Sequence, residues 1–467
     1  MPESRKARVG LLGLMLKLYD LYPDLKPKMT AFAGQLVDTL SPFADVHFPG
    51  VCNTREQVDQ AVADFEAEGR DLIVVVLLTY APSHITLPAL LHTPLPILVW
   101  NTQQLYAVDK NTTSQDTTEN HGMHGVQDLC NVLVRSKRSF QLVTGHYQDP
   151  RALSQVKGWC DAARTVHRMR LMRIGLLGYQ MEGMGDFGVD ETALLAQVGV
   201  SVRHLAMKAV ADLARAAPND EIARQTAFDR QQFAFEDTIT DAEHQASSRL
   251  EWAMREILVE QGLHGFAAHF SAVSEEGALD TLPFLAASKL LAEGYGFGGE
   301  GDVTSAAAVA MMIELAGEAD FSEMFSMDFR GNSILLMHMG EANWRMARKG
   351  EPVHMVRSTL GLADLRVPPL LLAFSRAPGD ATLVSLTTLA AGRLGLVIAE
   401  GQIADQPYIA DLGRPHGKFT PDIDLGDFLT RFSLSGGSHH QALAYGRWAD
   451  TVIKIATLLG IECARIG

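Results

Sequence analysis

Residues 71–78 read DLIVVVLL, and this short stretch decides the fold class. After Asp71 the run is apolar without alternation, which predicts a strand buried on both faces, as in a parallel sheet covered by helices. Further strand patterns lie at residues 8–16 and 96–100, and a helical apolar stripe between them follows a capping box that starts at Thr54. Alternation of strands and helices predicts a doubly wound α/β domain over residues 1–168.

The sequence pattern of the first domain is repeated from residue 173. Residues 173–178, RIGLLG, nearly repeat residues 8–13, RVGLLG, and strand and helix patterns alternate once more. We therefore expect a second doubly wound domain of Rossmann-like or flavodoxin-like type over residues 169–319. Neither opening is a GxGxxG sequence, so a dinucleotide site is not indicated. From residue 320 short β-rich runs separated by Gly, Pro and Asp predict an antiparallel sandwich or barrel over residues 320–467.

Charge and composition exclude several classes of protein. The chain carries 40 basic and 55 acidic residues, a net charge of -15, which argues against nucleic acid as a partner. The apolar run Val9–Leu16 is too short to span a membrane, and no small-residue cleavage site follows it. The four cysteines are scattered, without a CxxC pair, which favours free thiols in the cytoplasm.

The stretch Gly296–Asp302, GFGGEGD, is the first candidate for function. Its glycines let the backbone turn sharply and leave room beside Glu300. The alternative is a helix-entry loop whose acids complement the dipole of the following helix.

Three further segments favour the functional interpretation, because they carry Glu323, His338 and the pair His439-His440, each at the edge of an apolar run. A single histidine at a strand end is more often part of a core than a ligand. Adjacent residues of a strand point to opposite faces, so at most one histidine of the pair is expected to bind. Two carboxylates and two imidazoles suit an octahedral divalent ion such as Mn²⁺ better than a structural Zn²⁺.

These motifs resemble those of the L-arabinose isomerase family, within the wider arabinose/fucose isomerase group. The most specific pieces are GYGFGGEGD (294–302), FSEMF with Glu323, HMGE (338–341) and GGSHH (436–440). Supporting pieces are HGV (124–126), VTGHYQD (143–149) and HGFAAHF (264–270). They occur in the family's order at closely similar spacing, over most of the chain.

The resemblance implies an aldose–ketose isomerase that uses a divalent cation, Mn²⁺ or else Co²⁺ or Mg²⁺. Glu300, Glu323, His338 and His440 would bind the ion. The two glutamates would also be the acid and base that move a proton between C1 and C2 through a cis-enediol.

The same resemblance implies sugar contacts from Phe270, from His439 and from His124, the last reaching the site of an adjacent subunit. It implies two α/β domains and a C-terminal β-barrel. It also implies a homo-oligomer (trimer, tetramer or hexamer) with the active site near a subunit interface.

Departures from the family pattern keep the substrate open. Leu16 stands where the family carries a glutamine that contacts the sugar, and loss of that polar contact favours a modified sugar, deoxy or acidic, on the same site. A third possibility is a non-catalytic sugar-binding protein, because two similar α/β domains resemble the lobes of such proteins.

Overall fold

A computed structural model describes residues 6–358, 361 and 365–467 of the 467-residue chain. The chain divides into two compact units, residues 2–167 and residues 168–467. Within the described ranges, no helix is long and apolar enough to cross a membrane.

The first unit is built on a parallel sheet with the strand order β2-β1-β4-β5-β6, and β3 pairs with the end of β1. All six residues of β4 are buried, as the apolar run predicts. The strands are β1 (Ala7–Leu14), β2 (Ala44–His47), β3 (Val51–Cys52), β4 (Leu72–Leu77), β5 (Ile97–Asn101) and β6 (Gln141–Thr144). The helices are α1 (Leu25–Leu40), α2 (Arg55–Ala67), α3 (Leu87–His92), α4 (Ser114–Glu119), α5 (Gly122–Arg135) and α6 (Pro150–Met169).

The second unit begins with another parallel sheet, ordered β11-β10-β7-β8. Its strands are β7 (Arg173–Leu177), β8 (Ser201–Leu205), β10 (Gly265–Ala268) and β11 (Gly296–Gly298). The associated helices are α7 (Glu191–Val198), α8 (Met207–Ala216), α9 (Asn219–Gln232), α10 (Asp241–Glu260), α11 (Phe270–Glu276), α12 (Phe284–Glu293) and α13 (Val303–Ala316). Two parallel sheets with intervening helices confirm the predicted α/β character of the chain.

A larger and mainly antiparallel sheet follows, ordered β16-β19-β12-β13-β18-β17-β20, and β17 pairs with β16 as well. Its strands are β12 (Asp320–Asp328), β13 (Ser333–Met337), β16 (Gly379–Thr388), β17 (Leu394–Ile403), β18 (His416–Pro421), β19 (His440–Tyr445) and β20 (Glu462–Ile466). A small sheet joins β14 (His354–Arg357) to β15 (Leu370–Ala373) and to β9 (Ala234–Phe235), while α14 (Leu425–Leu434) and α15 (Ala449–Leu459) complete the unit.

Two strands near the candidate site differ from the sequence prediction. The sequence predicts that Glu323 precedes the first strand of the β-rich region, at residues 333–339. Glu323 instead lies inside β12, whose pairing with β13 is irregular between Met324 and Ser326. The residues that follow the pair His439-His440 have a helical pattern in the sequence, yet they continue the strand β19, which His440 opens. Pairing of β19 with β12 and β16 on its two sides overrides the weak local preference of the sequence HQALAY.

A buried charge cluster ties α9, α10 and α12 together. Lys289 lies 2.8 Å from Asp229 and 2.7 Å from Glu251, and all three side chains are almost fully buried. Asp229 also contacts His244, and Glu251 contacts Arg255. Buried charges need partners of this kind because their hydration has been lost.

Candidate functional site

Glu300 lies at the carboxyl end of β11, in a single 3-10 turn (Gly299–Gly301) that leads into α13. Its backbone adopts φ +57°, a left-handed conformation that non-glycine residues rarely accept and that is common at functional sites. A Cβ at Gly299 would stand 2.8 Å from the ring of His338, so a glycine at this position lets the ring approach the backbone. At Gly301, with φ +81°, a Cβ would stand 2.4 Å from the carbonyl oxygen of Tyr179. The glycines therefore let the backbone bring Glu300 beside an imidazole.

Glu300, His338 and His440 form a compact group of potential metal ligands. Each offers one ligand atom, and these atoms all lie within 4.8 Å of one another. His338 directly follows β13 and His440 opens β19, and both side chains are buried. The Glu300 Oε2 and His440 Nε2 atoms are 3.5 Å apart, and neither has a hydrogen-bond partner among the described residues. Buried polar atoms without partners are costly, so this group fits a bound cation.

A second carboxylate supports each imidazole. Glu341 Oε2 lies 2.7 Å from His338 Nδ1, and Asp302 Oδ2 lies 3.1 Å from His440 Nδ1. Contact through Nδ1 leaves the Nε2 atom of each ring available to an ion. Asp302 also caps α13, because its Oδ1 accepts from the Ser305 amide at 2.9 Å. Sequence reasoning did not assign Glu341 and Asp302, although both lie within the motifs HMGE and GGEGD.

Glu323 occupies the strand next to this group. It pairs directly with His440 in the β12–β19 ladder and with Met337 in the β12–β13 ladder. Side chains directly opposite in an antiparallel pair share one face of the sheet, so Glu323 and His440 face the same way. The structure thus groups three of the four predicted ligands and places the fourth alongside. Ligation by Glu323 remains a prediction.

His439 lies between two carboxylates. Its Nδ1 is 2.7 Å from Asp186 Oδ2, and its Nε2 is 3.6 Å from Glu300 Oε2. Burial alone would lower the pKa of His439, but the two carboxylates outweigh burial and raise this pKa to about 10. Burial raises the pKa of Glu300, whereas the neighbouring histidines lower it, and the net shift is downward. The site therefore combines negative and positive charge at close range.

The remaining residues predicted to contact the sugar lie in both compact units of the chain. Phe270, at the start of α11, lines a narrow cleft together with Glu300, His338 and Met339. Leu16 and His124 belong to the unit formed by residues 2–167. Leu16 follows β1, and His124 on α5 stacks on Tyr80 with ring centroids 4.3 Å apart. A role for these two residues at the sugar remains a prediction.

Comparison with known proteins accounts for nearly the whole chain. Three family models match: the L-arabinose isomerase N-terminal domain over residues 24–171, the central domain over 173–318 and the C-terminal domain over 318–462. L-arabinose isomerase 1 of Bacillus licheniformis is 26% identical over 419 residues, covering 88% of this chain and 83% of that protein. L-arabinose isomerase of Nocardioides sp. is 26% identical over 461 residues, covering 94% of this chain and 90% of that protein.

The protein is thus a sugar isomerase, an intramolecular oxidoreductase of the class that interconverts an aldose and a ketose. The chain belongs to the L-arabinose isomerase family, as its motifs indicated.

Proposed function

We propose that the protein is a metal-dependent aldose–ketose isomerase whose divalent ion is bound by Glu300, His338 and His440, with Glu323 as fourth ligand. The observation that carries the proposal is the convergence of Glu300 Oε2 and His440 Nε2 beside His338, two buried atoms that lack a hydrogen-bond partner in the described part of the chain. Their carboxylate and imidazole chemistry suits Mn²⁺, with Co²⁺ or Mg²⁺ as alternatives.

The reaction needs a base to remove a proton from one sugar carbon and an acid to return it to the neighbouring carbon, while the hydroxyl proton passes between the oxygens on C2 and C1. Glu300 and Glu323 take these roles, moving the proton between C1 and C2 through a cis-enediol. An ion held by Glu300, His338 and His440 would supply Lewis-acid polarisation of the substrate oxygens. Phe270, which lines the described cleft, contacts the sugar together with His439 and Leu16, and His124 reaches the sugar from an adjacent subunit.

The proposal includes the architecture that the resemblance implies. It comprises two doubly wound domains, residues 1–168 and 169–319, and a C-terminal β-barrel, residues 320–467. The barrel is supported by pairings that lead from β16 through β19, β12, β13, β18 and β17 back to β16. It further includes a homo-oligomer in the cytoplasm, with the site near a subunit interface. The four free cysteines agree with that compartment.

The substrate is a small sugar, and Leu16 favours one other than L-arabinose. A leucine cannot donate or accept the hydrogen bond that a glutamine would offer a hydroxyl. A deoxy sugar lacks a hydroxyl that such a residue would have to satisfy. An isomerase of a modified sugar, deoxy or acidic, is accordingly the second candidate.

The test is metal analysis of the purified protein combined with a ketose-forming assay across pentoses, hexoses and their deoxy and acidic forms. Exchange of the C2 proton with solvent deuterium would identify a substrate even where the equilibrium favours the aldose. We expect one divalent ion per chain, and loss of exchange in Glu300→Gln with an unchanged circular dichroism spectrum. Glu260→Gln, an exposed acid on α10, is the matched control. Normal turnover by Glu300→Gln would contradict the proposed base.

A further inference from the structure

The loop formed by residues 179–189, between β7 and α7, is attached directly to the metal-ligand group. The Met181 amide donates to the Glu300 carbonyl oxygen at 2.9 Å. At the other end of the loop, Thr388 Oγ1 donates to the Gly188 carbonyl oxygen at 3.2 Å. The loop is thus held at both ends, although three glycines (Gly183, Gly185 and Gly188) lie within it.

Asp186 in this loop makes the most specific contact with the GGSHH segment. Its Oδ2 atom accepts from Ser438 Oγ at 3.1 Å, from the His439 amide at 3.0 Å and from His439 Nδ1 at 2.7 Å. Three donors on two adjacent residues restrict both the backbone and the ring of His439. The other ring nitrogen is then directed to within 3.6 Å of Glu300 Oε2.

Phe187, the next residue in the loop, packs against the imidazole rings of both His439 and His440. Its side chain is fully buried, and its ring is nearly parallel to that of His440, with centroids 5.6 Å apart and planes at 14°. The Phe187 ring also lies 5.7 Å from that of His439. The His439 ring is therefore held by a polar contact and an aromatic one.

We propose that Asp186 is a positioning residue for the isomerisation. It holds the His439 imidazole against the Glu300 carboxylate and so sets where that imidazole meets the sugar. The inference rests on the proposed function, in which His439 contacts the substrate. Among the described residues, Asp186 makes no hydrogen bond or ion pair with Glu300, His338 or His440, so its effect passes through His439.

The test compares Asp186→Ala, Asp186→Asn, His439→Ala and the double variant Asp186→Ala/His439→Ala. Glu182→Ala is the matched control, because Glu182 is an exposed acid of the same loop. We expect Asp186→Ala to lower kcat/KM roughly 10- to 100-fold, the range for supporting partners of site residues. Asp186→Asn should lose less, because its amide oxygen still accepts the donors. The double variant should lose no more than His439→Ala alone, since both changes remove one function.

Two readouts separate positioning from general damage. Mn²⁺ affinity, measured by calorimetry, should stay within about threefold in Asp186→Ala, because the ion's own ligands are untouched. Amide hydrogen exchange of residues 436–440 should accelerate in Asp186→Ala and not in Glu182→Ala, whether or not a substrate has been found.

Three results would overturn the inference: unchanged exchange and kcat/KM in Asp186→Ala, additive losses in the double variant, or a fall in Mn²⁺ affinity as large as that in kcat/KM. Absence of isomerase activity in the unaltered protein would instead refute the proposed function. The exchange measurement would still decide whether Asp186 holds His439.

Discussion

Glu341 is the residue whose replacement tests the metal centre most directly. Glu341→Gln keeps the size of the side chain but removes the charge that faces His338 Nδ1 at 2.7 Å. Both groups are buried, with 5% of Glu341 and 3% of His338 exposed, so water does not replace the lost interaction. We expect the ion to bind less tightly, because His338 becomes a weaker and less well oriented ligand.

The expected loss is about 10- to 100-fold in Kd for Mn²⁺, the usual effect of removing such a carboxylate. This corresponds to about 1.4 to 2.8 kcal/mol of binding free energy. The loss of Mn²⁺ affinity in Asp302→Asn should lie at the lower end of that range, because the contact between Asp302 and His440 is longer, 3.1 Å. Helix α13 should survive this change, since asparagine caps a helix as well as aspartate does.

Isothermal titration of the metal-free protein with MnCl₂ measures the effect, with the exposed Glu260→Gln variant as control. The reasoning predicts that the loss appears in Kd before any substrate is added. A Kd within twofold of the unaltered protein in both Glu341→Gln and Asp302→Asn would refute the assignment of the two imidazoles as ligands.

Three further outcomes are expected. Lys289→Met should lower the free energy of unfolding by about 3–5 kcal/mol, because Asp229 and Glu251 lose a buried countercharge. A change below about 1 kcal/mol in urea unfolding would contradict this expectation. Chelation of the ion should lower Tm, since an ion present at about one hundred times its Kd stabilises the folded state by about 2.7 kcal/mol. Scanning calorimetry with and without EDTA measures this shift, and an unchanged Tm would contradict the binding of an ion. The hydrogen bond with Arg357 is the main cause that lowers the pKa of Glu243 from 4.5 to about 2. This pair therefore stabilises the fold above pH 4.5, and the stabilisation is lost as pH falls towards 2. Replacement of Arg357 by methionine should flatten that part of the pH–stability profile, and an unchanged profile would count against the pair.

The α/β character of the chain could be predicted because it depends on short, local patterns. The run in β4 is apolar at every position, and only a sheet covered on both faces can bury such a strand completely. The near repeat at residues 8–13 and 173–178 likewise falls on β1 and β7, each the start of a parallel sheet. Local preference and tertiary packing agree in these segments.

Local sequence pattern does not predict the structure where the pairing partners of a strand decide it. The β19 sequence HQALAY has helix-forming residues but is held as a strand by β12 on one side and β16 on the other. In β12, which carries Glu323, the register shifts between Met324 and Ser326, and this shift interrupts the regular alternation by which a strand is recognised in a sequence. Neither partner of β19 is adjacent to it in the sequence, so periodicity alone could not identify that pairing.

The sequence by itself determined the chemical types at the site and the glycines that allow Glu300 its left-handed turn, because both are properties of single residues and their neighbours. Only the tertiary structure decided that Asp302 supports His440, 138 positions away, and that Asp186 contacts His439, 253 positions away. Such contacts depend on how sheets and loops from distant segments meet. A carboxylate on a loop has no local mark that distinguishes a partner of a buried imidazole from a solvated charge.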